Sequence, residues 1–325
     1  MAVVFVTGGS GFVGRTLVRT LAERGDEVRG LARSAAASDA VRVAGGLPIQ
    51  GDLNDAGALR RGIEGADLVV HAAARVKSPP KDTVGWWRAN VDGTQAVLDA
   101  ARDTGVPTFV HVSTIRVVDG DGRDVVDADE SWSYPSEPKG LYAATKIEAE
   151  RRVLAAAGPT LRTVAVRPCW VWGPGDPIFR RIVELARRGR FRWIGASVPV
   201  STTQVDNVVE GVLLAADKGA SGQAYFLTDG PPIDSRVFMR ALLGTQGMTV
   251  SDKQMSYRTA RTTATIAEFA WSVLRLSSDV LLDVDSVETT VRPMTVRDDK
   301  ARKELGYAAD VDFEEGLRRL TATPI

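Results

Sequence analysis

Cysteine and histidine are nearly absent: the 325 residues hold one cysteine, Cys169, and two histidines, His71 and His111. A lone cysteine excludes an internal disulfide, and so thin a donor set argues against a zinc site of the ordinary Cys/His kind. Net charge is missing too, with 41 basic against 41 acidic side chains, so nothing in the composition points to a nucleic-acid partner. Long hydrophobic runs are also lacking. The opening AVVFVT is cut short by glycines, well below the length of a signal-peptide core. The most apolar later stretch, 265–282, is broken by Glu268, Arg275 and Asp279, which speaks against a spanning helix. A cytoplasmic protein with no membrane span is expected.

What is present is ordinary for a globular chain, 44% hydrophobic and 25% charged. The length predicts one large domain with a smaller satellite. From residue 1 to about 168, β-branched runs (AVVFVT, EVRGLA, LPIQGD, DLVVHAA, PTFVHVS, RTVAVRP) alternate with helical patterns over 12–24, 58–63, 86–103 and 142–157. That alternation predicts an α/β fold, a doubly wound parallel sheet of the Rossmann kind with ligands beyond the carboxyl ends of its strands. After Pro168 the alternation breaks down. Residues 1–167 are therefore expected to form the dinucleotide-binding domain, with 201–229 returning to it, and 168–325 mainly a smaller C-terminal substrate lobe.

The first strand runs directly into Gly8, Gly9, Ser10, Gly11, Phe12, Val13 and Gly14, and a helix-compatible stretch follows. Glycine there permits positive φ and close approach of the backbone to a pyrophosphate seated on a helix N-terminus. At the end of the second strand, where an NAD site usually places a carboxylate, stands Arg33, suited to a 2′-phosphate. Ser34 offers it a neutral hydrogen bond, and Asp39 is near enough in sequence to reach back. NADP is the expected cofactor and NAD the alternative. Asp52 and Leu53 end the third strand, as an adenine contact or, for Asp52, as the cap of the next helix. Tyr142 and Lys146 lie four residues apart, on one helical face, where a cation beside a phenol eases proton exchange with a carbonyl oxygen. Ser113 and Thr114 end the strand before that helix and offer a hydroxyl to the same oxygen.

Taken together, TGGSGFVG, GDL at 51–53, HAAA at 71–74, NVDGT at 90–94, VSTIRVV at 112–118, YAATK at 142–146 and RPCWVWGPGD at 167–176 resemble the extended short-chain dehydrogenases/reductases almost end to end. The resemblance implies an oxidoreductase in which Thr114 orients the substrate, Tyr142 donates the proton, and Lys146 binds the nicotinamide ribose and lowers the tyrosine pKa. It also implies Asn90 as a residue that helps place Lys146. His71, Ala72, Ala73 and Ala74 would line the cofactor, with Pro168 and Val171 near the nicotinamide carboxamide.

Within that superfamily the sugar-nucleotide dehydratases carry Asp-Glu after the threonine, where this chain has Ile115 and Arg116. Epimerases show an Arg-Asp-aromatic run that 201–207 lacks. VDNVVEGVLLAAD and GQAYFLTDGPPI instead resemble the 3β-hydroxysteroid dehydrogenase, sterol dehydrogenase and 3-oxoacyl-type reductase branch, which implies a small lipophilic ketone or secondary alcohol as substrate. Ile266, Phe269, Ala270, Trp271, Val273 and Leu274 suggest a helix with a broad apolar face, over a substrate or buried in the protein. The alternatives are an NAD-linked hydroxysteroid dehydrogenase, a nucleotide-sugar epimerase and a non-catalytic dinucleotide sensor. A homodimer is compatible with all of these. His111 reads as a core side chain, Cys169 as packing, and the arginines between 180 and 192 as the solvated face of an amphipathic helix.

Overall fold

The computed structural model describes residues 1–76, 82–274 and 283–323. Five strands open the chain: β1 (Val3–Thr7), β2 (Glu27–Ala32), β3 (Leu47–Gln50), β4 (Leu68–His71) and β5 (Thr108–Val112). With strands Arg162–Pro168 and Gln223–Leu227 they form a seven-stranded sheet, in the order Gln223–Leu227, Arg162–Pro168, β5, β4, β1, β2, β3. Every pairing in it is parallel. The order reverses at β1, so the crevice beyond β1 and β4 is where such a sheet receives its ligand.

Two-residue alternation decides what each strand buries. Val4 and Val6 of β1, Leu68 and Val70 of β4, and Val110 of β5 face α1 (Phe12–Glu23) and the helix Val205–Lys218 in one core. Phe5, Val69 and Phe109 face the helices Ala56–Ile63, Gly93–Asp103 and Leu141–Ala155 in the other. Both faces are covered, which is why these strands read as near-continuous apolar runs.

A second region packs around Trp172, Phe179, Val183, Trp193, Phe238 and Leu242. A small sheet accompanies it, ordered Ile233–Asp234, Pro199–Val200, Met294–Val296 and Val125–Ala128. Strand Thr202–Gln204 pairs with Trp170–Trp172. Asp229, just past strand Gln223–Leu227, accepts hydrogen bonds from Trp172 Nε1 (2.7 Å), Thr202 Oγ1 (2.8 Å), the Gln204 amide (2.6 Å) and Asn207 Nδ2 (2.7 Å).

Three expectations change. A helix at Ala35–Val43 joins β2 to β3. The helix expected over 86–103 begins at Thr83 and contains a π turn at Arg88–Asp92. The apolar segment is indeed helical, Tyr257–Leu274, but Ile266 and Phe269 are 63% and 65% exposed. Among its described side chains the buried ones are Ala260, Ala264 and Trp271, and the two alanines pack with Val287 of the helix Val284–Thr290. The side chains of Val273 and Leu274, and residues Arg275 and Asp279, lie outside the described residues. Of the basic run, Arg180, Arg181 and Arg187 fall on helix Pro177–Arg187, which buries Phe179 and Val183, whereas Arg188, Arg190 and Arg192 lie beyond its end. Among the described residues no helix is long and apolar enough to cross a membrane.

Candidate active site

The site begins where β1 stops. Gly8 turns at φ +74°, and a Cβ there would lie 2.7 Å from the Ala73 nitrogen; a Cβ on Gly14 would fall 2.1 Å from the Gly8 carbonyl oxygen. The Gly11 amide closes the turn onto Gly8 O at 2.9 Å. Ser10, Phe12 and Val13 stay partly exposed around it while Gly9 and Gly14 are buried. Gly11 is the N-cap of α1, with no side-chain cap and no acidic residue in the first turn. The first amides and the positive end of the helix dipole are thus left for an anion. These residues fit the pyrophosphate of a dinucleotide.

Arg33 is exposed just beyond β2, and no hydrogen-bond or ion-pair partner holds it among the described residues. Ser34 is already occupied, capping the helix Ala35–Val43 through the Ala37 amide at 3.2 Å, and Asp39 pairs with Arg42 at 2.7 Å rather than reaching back. Asp52 does not cap the following helix. Its carboxylate accepts from the Asn54 amide at 2.7 Å, and Asp55 provides the cap through Ala58 N at 2.9 Å. Leu53 packs against Gly93.

Of the four residues 71–74, Ala72 and Ala73 carry the backbone against Gly8, and Ala74 is exposed. His71 has no surface to offer a cofactor. It is fully buried, its Nδ1 2.7 Å from Thr7 Oγ1 and its Nε2 2.9 Å from Thr94 Oγ1, so it braces the glycine turn from behind. Burial, reinforced by the Lys146 charge, pushes its pKa down to about 3 and keeps it neutral.

Helix Leu141–Ala155 springs from Gly140, at φ +85°. Tyr142 is half-buried one turn before Lys146, with the Trp86 ring edge-on to it at 6.2 Å. Burial raises the phenol pKa; the Thr114 hydroxyl and the charge of Arg116 work against that rise. Lys146, 2% exposed, turns to β5: its Nζ donates to Val112 O at 2.9 Å and lies 3.1 Å from His111 Nε2. Burial pushes its pKa down to about 8, with Glu150 opposing. Among the charges that work on the Tyr142 phenol, Arg116 favours its ionised form. Asn90 reaches the helix at Thr145 Oγ1 (3.0 Å), not at Lys146, and grips the Arg75 backbone from both sides at 2.6 and 3.0 Å. The π turn puts its amide in that position.

Thr114 is 8% exposed past β5, with the Arg116 amide 3.3 Å from its hydroxyl oxygen. Pro168 sits alongside, its carbonyl accepting from Ile115 N at 3.0 Å, and Val171 follows in the half-buried strand Trp170–Trp172. Cys169 is buried, and that burial lifts its thiol pKa well above the usual range, which makes it inert.

Three features escaped the sequence. Arg116 pairs with Asp119 and with Asp285 (2.5 Å) of helix Val284–Thr290, so it ties that helix to the tyrosine's surroundings. Its only signal was a charge amid IRVV. Glu150 and Arg167 form a buried ion pair at 2.6 Å, joined by the Tyr134 hydroxyl at 2.7 Å, beneath the same helix. The third is the contact of His111 with Lys146, signalled only by a histidine in an apolar strand.

A glycine cradle at the switch point of a parallel sheet, with a phenol, an ammonium and a hydroxyl gathered beyond the neighbouring strands, defines an oxidoreductase of the extended short-chain dehydrogenase/reductase class that uses a nicotinamide dinucleotide. The chain belongs to the 3-beta hydroxysteroid dehydrogenase/isomerase family, whose model matches residues 5–257. It is 43% identical, over 97% of its length and 95% of the other's, to a 4-hydroxy-2-methyl-3-oxo-4-farnesyl-3,4-dihydroquinoline-1-oxide ketoreductase of Stigmatella aurantiaca. A 2-alkyl-3-oxoalkanoate reductase of Stenotrophomonas maltophilia is 38% identical, over 98% of both chains. Among solved structures, the dTDP-glucose 4,6-dehydratase DesIV of Streptomyces venezuelae, with NAD and TYD bound, is similar at a TM-score of 0.76 and 25% identity, covering 98% of this chain and 96% of that one.

Proposed function

We propose that the protein is an NADPH-dependent reductase of lipophilic ketones, with Tyr142 as proton donor, Thr114 as the hydroxyl that orients the substrate oxygen, and Lys146 as the ribose anchor. The observation that carries this is Tyr142 one turn before the buried Lys146 on helix Leu141–Ala155, where burial holds the proton on the phenol while the Thr114 hydroxyl and the Arg116 charge work against it. A group with these opposed influences keeps its proton at neutral pH and still parts with it to a developing alkoxide. The bound nicotinamide supplies the hydride. Thr114 meets the substrate oxygen with a hydroxyl whose own oxygen is already engaged by the Arg116 amide. Asn90, through Thr145, steadies the helix that carries both Tyr142 and Lys146.

Two named relatives reduce ketones attached to farnesyl or alkyl chains, which supports a lipophilic substrate and the reducing direction. The exposed Arg33 supports a 2′-phosphate on the cofactor. The test is turnover of long-chain 3-oxo compounds and ketosteroids with NADPH or NADH, by wild type and Tyr142→Phe. The variant is expected to lose at least about a hundredfold in turnover while cofactor affinity stays within a few-fold. Full turnover by Tyr142→Phe overturns the assignment.

A further inference from the structure

Nothing in the proposed chemistry uses His111, yet it is the side chain that the Lys146 ammonium lies against. β5 carries it into full burial at 1% exposure, in the middle of the apolar run Phe109–Val112. Its Nε2 is 3.1 Å from Lys146 Nζ, and the next residue along, Val112, gives its carbonyl to the same Nζ at 2.9 Å. On the adjacent strand His71, its register partner, stacks on it with ring centroids 5.3 Å apart and planes at 24°.

The direction of the contact follows from the donors. An ammonium has only hydrogens to give, so Nε2 must present a bare lone pair, and the ring proton then sits on Nδ1. Burial first, then the charge of Lys146 and the presence of His71, push the His111 pKa well below its ordinary value, which keeps the lone pair free. Nδ1 has no hydrogen-bond partner among the described residues. A buried N–H left unpaired is a cost that leucine or phenylalanine at this strand position would not incur. Packing alone does not account for the imidazole, whereas the ammonium does.

We infer that His111 is a positioning residue for Lys146: with the Val112 carbonyl it fixes Nζ against β5, so that two of the three ammonium hydrogens are held by the sheet and one is left for the cofactor ribose. The inference rests on the ribose-anchoring role proposed for Lys146. The titratable groups around that ammonium are His111 and His71 from the sheet, Tyr142 and Glu150 on its own helix, and Arg167, which pairs with Glu150. Removing the imidazole deprives the charged form of Lys146 of an acceptor, so the lysine must lose its proton at lower pH than in the wild type.

The experiment uses the full chain and compares wild type, His111→Phe, His111→Met, His111→Gln and Lys146→Met. NADPH Kd is titrated by cofactor fluorescence from pH 6 to 9.5, with melting temperatures measured alongside. Both apolar variants are expected to bind NADPH about tenfold more weakly at pH 7 and to lose affinity on the alkaline side about half a unit to one unit earlier. His111→Gln, which restores an acceptor, should return both quantities to within about threefold of wild type. His111→Phe combined with Lys146→Met should bind no worse than Lys146→Met alone, because the histidine acts through the lysine. A wild-type Kd and alkaline limb in whichever apolar variant folds, with only the melting temperature lowered, overturns the inference. An unchanged Kd in Lys146→Met overturns the parent assignment of Lys146 instead, so the two failures are told apart.

Discussion

The backbone amide of Arg116 donates to the Thr114 hydroxyl oxygen at 3.3 Å, while the guanidinium of the same residue bridges Asp119 and Asp285. One residue thus orients the threonine through its backbone and charges the surroundings of Tyr142 through its side chain. Arg116→Leu keeps the amide and removes the charge. It is predicted to lower kcat by about tenfold, equivalent to about 1.4 kcal/mol, and to move the ionisation assigned to Tyr142 upward in the pH–rate profile. Arg116→Lys should recover part of both. A profile in Arg116→Leu that superimposes on wild type would show that this charge is irrelevant to the phenol.

Lys146 gives a pH prediction whose sign is fixed by burial. Its pKa is lowered to about 8, so in the free protein the ammonium is present below that pH and is lost above it. Cofactor affinity should therefore fall as pH rises through about 8, whereas Lys146→Arg, charged throughout, should show no such fall up to about pH 10. Fluorescence titration of NADPH at half-unit pH steps measures both.

Arg33 bears on the choice of dinucleotide. A guanidinium contact to a 2′-phosphate is worth roughly 1.5 to 3 kcal/mol, or about a ten- to hundredfold preference. Arg33→Ala is predicted to weaken NADPH alone and to leave NADH unchanged. Tighter binding of NADH by the wild type, or equal losses in the variant, would favour an NAD-linked hydroxysteroid dehydrogenase.

The Glu150–Arg167 pair, with side chains 0% and 4% exposed, is a stability element. Burial pushes the carboxyl pKa up, but the Arg167 charge and hydrogen bonds from Arg167 and Tyr134 hold it below the ordinary glutamate value. A lowered carboxyl pKa stabilises the fold above the unfolded value of about 4.3, and this contribution is lost as pH falls through the folded value. Arg167→Met should cost about 3 to 5 kcal/mol by stranding the carboxylate, and Glu150→Leu added to it should restore much of that. Thermal melts of the single and double variants at pH 7 and pH 4 check both statements, the single variant losing less of its stability on acidification than the wild type does.

The glycine cradle was legible in the sequence because only one residue type tolerates φ +74° at Gly8 or the 2.1 Å approach at Gly14. The sheet was legible because its strands are covered on both faces and so read as unbroken apolar runs. The Ala35–Val43 helix was not, since it buries only Ser38 and Val41 and shows no apolar stripe. Nor was the Arg116–Asp285 contact, whose partners stand 169 positions apart and meet only because helix Val284–Thr290 folds back over the site. Tyr142 and Lys146 could be paired by their spacing, but where the ammonium would point depended on β5, which spacing along one helix does not encode.

Asp229 ties three elements together through one carboxylate. Its two oxygens receive four donors brought in by Trp172, Thr202, Gln204 and Asn207, and every one of them is a donor, so an asparagine of the same shape would turn N–H against N–H. A carboxylate shared in this way gains little from any one partner until the others have arrived. The strand beyond Pro168, the start of helix Val205–Lys218 and the last sheet strand are consequently expected to melt together with the sheet rather than ahead of it.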